Sequence, residues 1–118
     1  MVEVRAVAKH VRVPPRKARR VVALIRNQNA EAALQQMQFV KTKAARLVAR
    51  VLKSAIANAE NNAKLEASSL VVKHACVDEG ITWRGRRMRA RGAVNIIHRR
   101  TSHITVVVEE AAAEGAGA

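Results

Sequence analysis

Apolar and polar positions alternate along residues 2–12, with Val2, Val4, Ala6 and Ala8 set against Glu3, Arg5 and Lys9. A period of two predicts a strand. Pro14 and Pro15 end it, and proline suits a first helical turn because the N–H it lacks has no partner there. Helical spacing then takes over in "RKARRVVALIR" (16–26), where Ala18, Val21, Val22 and Ile25 recur at i, i+3, i+4 and i+7, a single apolar face. Asn27 makes a suitable left-handed stop. "NAEAALQQMQ" (29–38) reads as a short helix with Asn29 as its cap. The longest helix is expected over 41–62, with Ala44, Leu47, Val48, Val51, Leu52, Ala55, Ile56 and Ala59 as its apolar stripe. At its regular rise it spans roughly 33 Å, enough to be the spine of the fold. Residues 63–69 read as a loop. "LVVKHACVDEG" (70–80) and "SHITVVVEE" (102–110) read as Val-rich strands. "AAAEGAGA" (111–118) has no large apolar group and is expected to be a mobile tail. There is no internal repeat and no linker, so a single domain over 1–110 is expected.

About twenty residues separate the last two strands, and a structureless loop of that length is uncommon in a compact domain. Its flanks are strand-like, and Gly80, Gly85 and Gly92 punctuate it. Both strands are therefore expected to continue outward as a long hairpin over about 80–103. Ten residues of arm would reach on the order of 30 Å beyond the body. A two-stranded arm is marginal alone in water, so a partner must hold it.

Charge says what kind of partner. The 118-residue chain is 49% apolar, enough to fold, yet carries 22 Lys plus Arg against 9 Asp plus Glu, a formal net charge of +13. Self-repulsion on that scale opposes the compact state unless a polyanion offsets it. Two blocks hold the excess: 13 basic against 2 acidic residues in 1–53, and 7 against 0 in 81–108. The stretches 54–80 and 109–118 are net acidic. Two RNA- or DNA-facing elements on one body fit this pattern better than one basic tail does. On the first helix Arg16, Lys17, Arg19, Arg20 and Arg26 lie off the apolar stripe. On the long helix Lys43, Arg46, Arg50 and Lys53 form a stripe of their own. A solvated helix face normally mixes signs, but residues 4–53 contain one acid, Glu31. Arginine also matches phosphate with its planar fork. Both stripes are therefore read as phosphate-binding.

Other chemistry finds little support. Trp83 and Phe39 are the only aromatics, too few for a single-strand stacking platform. Phe39 is expected in the core; Trp83 fits a core edge or a stacking side chain equally well. His10, His74, His98 and His103 share no metal spacing, and no metal or cofactor is expected. Cys76, alone and in a Val-rich strand, rules out an internal disulfide, suits a reducing compartment and is expected to be buried and inert. "ITWRGRRMRARG" lacks the order of a phosphate loop. The acids show no catalytic spacing, so no enzymatic activity is expected. The start "MVEVRAVAKH" has no signal-peptide core, and no apolar run approaches membrane-spanning length. A DNA-bending protein with basic arms would need a dimer to pair its arms and would leave the helix stripes without a role. A nuclease or RNA-modifying enzyme would need an acid/base constellation.

"KARRVVALIR" (17–26), "KAARLVARVLKSAIANAENN" (43–62), "VDEG" (77–80) and "RRTSHITVVV" (99–108) together resemble the bacterial large-subunit ribosomal protein L twenty-two family. The similarity covers roughly residues 5–110 and is highly specific in "SAIANAE" and "RTSHITVVV". It implies an α+β fold, a small antiparallel three-stranded sheet packed on three helices with a long protruding hairpin. It implies a structural role in the large subunit, in the cytoplasm, with binding of large-subunit rRNA and support of assembly. The rRNA-binding residues it implies are the two helix stripes with Arg84, Arg99, Arg100, Thr101, Ser102 and His103. It further implies that Arg86, Arg87, Met88, Arg89, Ala90, Arg91 and Gly92 line the nascent-peptide exit tunnel near the macrolide site. The implied neighbours are other large-subunit proteins, including L four at the tunnel narrowing, and the nascent peptide; neither a membrane nor a homo-oligomer is implied. The chain departs from the family pattern at Pro14, where Ser is usual, at Asn27, where Gly is usual, and at Met88 and Ala93 near the hairpin tip, where Pro and Arg are common.

Overall fold

A computed structural model of the protein describes residues 3–110. The expected tail at 111–118 and the start of the first strand at Val2 lie outside the described residues. The elements run β1 (Glu3–Val11), α1 (Pro15–Ile25), α2 (Ala30–Phe39), α3 (Lys43–Asn61), β2 (Leu70–Met88) and β3 (Val94–Glu110). Short 3-10 turns at Ala67–Ser69 and Ala90–Gly92 precede and follow β2. The sheet is antiparallel in the order β1-β3-β2. The fold is therefore α+β, with three helices and a three-stranded antiparallel sheet.

Each boundary has a local cause. Pro14 is extended and makes no side-chain cap, so α1 starts on the preset backbone angle of Pro15 alone. Asn27 takes the left-handed conformation, at φ 61°. Its N–H then donates to Val72 O at 2.9 Å, and Val72 N–H donates back to Gln28 O at 2.9 Å. The end of α1 is thus tied to β2. Asn29 Oδ1 accepts from the N–H groups of Glu31 and Ala32 at 3.0 and 3.2 Å and caps α2. Thr42 Oγ1 accepts from Ala45 N–H at 3.1 Å and starts α3 two residues later than its apolar pattern implies.

Sheet and helices meet through period two on one side and helical spacing on the other. Leu70, Val72, Ala75 and Val77 of β2, with Ser102, Ile104, Val106 and Val108 of β3, point inward and are buried. The step from Val72 to Ala75 breaks the period of two, and a register shift between Val72 and His74 absorbs the extra residue. Against this face lie Ala18, Val21, Val22 and Ile25 of α1, the four residues that the pattern selects, and the α3 stripe. That stripe is rotated slightly: Ala45 is fully buried while Leu47 and Ile56 are only half-buried.

Two core expectations are corrected. Phe39 is 82% exposed. The inward face of α2 is Ala30, Ala33 and Met37, and a residue two positions beyond Met37 falls on the opposite side of a helix. Cys76 is half-buried rather than buried. Ala75 and Val77 occupy the inward positions, so alternation turns the thiol to the outer face.

Past a second register shift, between Glu79 and Thr82, β2 and β3 leave the helices behind and pair as an arm from Thr82 opposite Arg100 to Met88 opposite Val94. The arm draws the molecule out to 67 × 26 × 18 Å. At its tip Arg89 N–H donates to Ala93 O at 2.6 Å, and Arg91 and Gly92 are both left-handed, at φ 59° and 74°. Arg91 bears the strain of a side chain there; Gly92 does not.

Candidate nucleic-acid interface

The basic residues of the body line neighbouring grooves. Between α2 and α3 a groove of about 720 Å³ is lined by Lys41, Lys43, Arg46, Arg50 and Lys53 over a floor that includes Leu34, Met37 and Ala49. A second, of about 590 Å³, lies between the N-terminal ends of α1 and α3 and is lined by Arg12, Lys17, Arg20 and Lys43. A third, of about 350 Å³, sits at the root of the arm between Arg12, Pro14, Trp83, His98, Arg99, Arg100 and Thr101. Lys43 borders the first two and Arg12 the last two. The track therefore runs from the middle of α3 to the arm. No carboxylate lines any of the three grooves. Arg12 stands outside the helices, and Lys41, inside the helix expected over 41–62, precedes α3 and falls outside the i, i+3, i+7, i+10 stripe that starts at Lys43; the signal of both in the sequence is only the long run with a single acid.

Among the described residues the only ion pairs belong to Lys73, which meets Glu3 and lies 3.6 Å from Glu109. These three residues join all three strands on the sheet face turned away from the helices. The hydrogen bond and charge of Lys73 hold the Glu3 carboxyl below its ordinary value. The same hydrogen bond, with the charges of Glu109 and Glu3, raises the Lys73 ammonium. Compensation is thus spent on the outer sheet face, and the grooves keep their positive charge.

Two helix arginines are partly engaged. Arg19 Nε donates to Val77 O at 3.2 Å and Arg26 Nε donates to Ala75 O at 2.9 Å. Both brace α1 against β2 while the residues stay exposed. Arg16, Lys17 and Arg20 are exposed, as are Lys43, Arg46, Arg50 and Lys53.

The "TSH" segment is tied into the body of the protein. Thr101 and Ser102 are buried. Thr101 Oγ1 donates to Ile81 O, and Ser102 Oγ donates to Val13 O. Both hydroxyl protons are thus used inside the protein. His103 is half-buried; its Nδ1 accepts from His10 N–H at 3.1 Å, and the two imidazoles meet edge to face at 4.7 Å. The left-handed φ of 57° at His10 permits that bond at the break in β1–β3 pairing. These three residues build the root of the arm. Gly80 completes it, because a Cβ there would stand 2.5 Å from Thr101 Oγ1.

Along the arm Arg84, Arg86, Arg87, Met88, Arg89, Ala90, Arg91, Gly92, Arg99 and Arg100 are exposed. Alternation puts Arg84, Arg86 and Met88 on one face with Val94, Ile96 and His98, and Trp83 and Arg87 on the other with Asn95 and Arg99. Trp83 is 59% exposed, which removes it from the core edge. Among the described residues no three His, Cys, Asp or Glu side chains come together as metal ligands, and no helix is long and apolar enough to cross a membrane.

Comparison with known proteins gives a consistent result. The family model for ribosomal protein L22p/L17e matches residues 6–109. The large ribosomal subunit protein uL22 of Halothermothrix orenii is 51% identical over 108 residues, which is 92% of this chain and 96% of the relative. The uL22 proteins of Carboxydothermus hydrogenoformans and a Thermoanaerobacter species are each 48% identical over 92% of this chain, covering 96% and 97% of their own lengths.

Proposed function

The chain belongs to the ribosomal protein L22p/L17e family, and on that premise we propose that it is a structural constituent of the large ribosomal subunit in the cytoplasm, binding large-subunit rRNA along its groove track and arm. Its role is structural, with no catalytic step. The observation that carries the RNA-binding reading is the series of three neighbouring grooves that share Lys43 and Arg12, each lined by cations and free of carboxylates. Phosphates fit it because they offer acceptors to the guanidinium forks and offset charge that the fold leaves unpaired.

The arm extends this reading. Arg86–Gly92 lie at the far end of a narrow projection, a shape that passes between RNA segments rather than lying on one. With the family resemblance, this supports placement of the tip at the exit tunnel, beside ribosomal protein L four and the nascent peptide and near the macrolide site. It also supports a part in assembly, since an arm that touches several RNA segments links them. Arg12 and Lys41, which line these grooves, join the contact set.

Salt titration tests the RNA reading. Log affinity for an rRNA fragment should fall with log salt by roughly 0.7–0.9 per phosphate neutralised. Six or more contacts predict a slope of about −4 or steeper. A nearly flat dependence would reject it.

A further inference from the structure

We propose that the groove at the root of the arm is a subsite for one unpaired nucleotide of RNA, whose base stacks on Trp83 while its phosphates lie against Arg12, Arg99 and Arg100. The proposal rests on the RNA-binding reading above and adds to it a base-level contact that a purely electrostatic track does not have.

Three observations converge. The indole is 59% exposed although it is the largest apolar side chain in the protein. Its neighbour two residues on along the same face is Gly85, which has no side chain to cover it. Over Gly85 there is room for a methyl and little more: an added Cβ would sit in ordinary contact with Ile97 O at 3.8 Å and Arg99 Nε at 3.9 Å. The exposed indole, with the Arg99 guanidinium close by over Gly85, sets an aromatic face beside a cation. The indole borders a groove of about 350 Å³, at the lower end of the size of small-ligand clefts, about 300–1,000 Å³. Its three arginines, with no carboxylate among the lining residues, select an anion. Guanidiniums and an aromatic ring together match a nucleotide, which carries a phosphate and a π-face. A paired base would not serve, because its faces are covered within the helix. An unstacked base in a bulge or loop offers one.

Trp83 is the only tryptophan, and the chain has no tyrosine, so intrinsic emission reports this site alone. The test compares an RNA duplex bearing one bulged nucleotide with the same duplex fully paired, both end-labelled for anisotropy. Binding of the bulged RNA should quench Trp83 emission, and binding of the paired duplex should leave it nearly unchanged. Trp83→Leu should weaken binding of the bulged RNA by roughly 5- to 140-fold, the equivalent of one lost base stack. It should change duplex binding less than about twofold, and Trp83→Phe should restore most of the difference. Helical circular dichroism confirms that the variants fold. If both RNAs bind alike and neither quenches, the subsite is wrong while the electrostatic reading stands. If neither RNA binds, both fall. If an extended peptide quenches and the bulged RNA does not, the groove takes peptide and the proposal is overturned.

Discussion

β2 and β3 each live in two environments. Within the body their inward side chains are buried in one core with the helices, and the others are partly or fully exposed. From Thr82 to Arg100 the same strands keep their pairing, yet only Gly85 and Ile97 are even half-buried. Ile81, Trp83, Met88, Val94 and Ile96 are all more than half exposed. The backbone does the same thing in both halves; the difference is the layer beneath. Strand propensity and cross-strand hydrogen bonds are enough to pair two chains, whereas a buried face needs a second element to bury it. The body takes its free energy from that burial. The arm has seven arginines and no acid within 81–108, so the layer that it lacks matches the anionic partner proposed above.

That contrast can be broken first in the body. Leu52 is fully buried at the centre of α3, so Leu52→Ala should lower the free energy of unfolding by about 2–5 kcal/mol. Arg50→Ala, two residues away and exposed, should change stability by no more than about 0.5 kcal/mol while weakening rRNA binding. Urea denaturation and RNA titration of both variants check this, and an exchange of the two outcomes would mean that the helix faces are reversed.

The junction between the regions comes next. Gly80→Ala places a methyl against Thr101 Oγ1, which is already held by Ile81 O. Relief requires a shift of the arm root, at a cost of about 1–3 kcal/mol. Thermal melts read the loss, and unchanged stability would show that the root is looser than its geometry.

The arm itself should matter little to folding. Trp83 stands opposite Arg99, so replacing residues 84–98 by Asn-Gly closes the hairpin in register. The shortened protein should match the parent's stability within about 0.5 kcal/mol, and its RNA binding should weaken without vanishing because the helix grooves remain. Ribosomes that carry it should show altered macrolide sensitivity. An unfolded product would make the arm part of the core; incorporation with normal peptide exit and drug response would refute the placement of the tip.

The smallest effect belongs to the outer sheet face. Glu3 has its folded-state value depressed by Lys73, so its contribution is present above the ordinary carboxyl value of 4.5 and is lost as pH falls through the lower folded value. Lys73 is raised, so its contribution is present below its ordinary value of 10.5 and is lost as pH rises through the higher folded one. Both groups are solvated, and exposed pairs add little. Melting of Glu3→Gln and parent should therefore differ slightly at neutral pH and converge in acid; a gap that persists in acid would assign the effect to something other than charge.

Much of this protein is determined by short-range pattern. Period two and helical spacing place β1, α1, α2 and α3 within a few residues, because burial on one face imposes those periods locally. Asn27 and Asn29 disclose a left-handed stop and a cap through backbone preferences that need no distant partner. The basic character of the surface also follows from residue identity, since charge of one sign cannot be folded away. Tertiary structure alone decided the rest. A long apolar side chain at a helix end can face either way, so only packing showed that Met37 goes in and Phe39 out. The bulge between Val72 and His74, which sets the face on which Cys76 lies, is a property of two strands and not of one. Arg12 joins Lys43 and Arg99 through space, across spans that no local period connects. Thr101 and Ser102 look like surface polar residues until the fold brings Ile81 and Val13 within hydrogen-bonding reach. Long-range contacts decide which polar groups are satisfied internally.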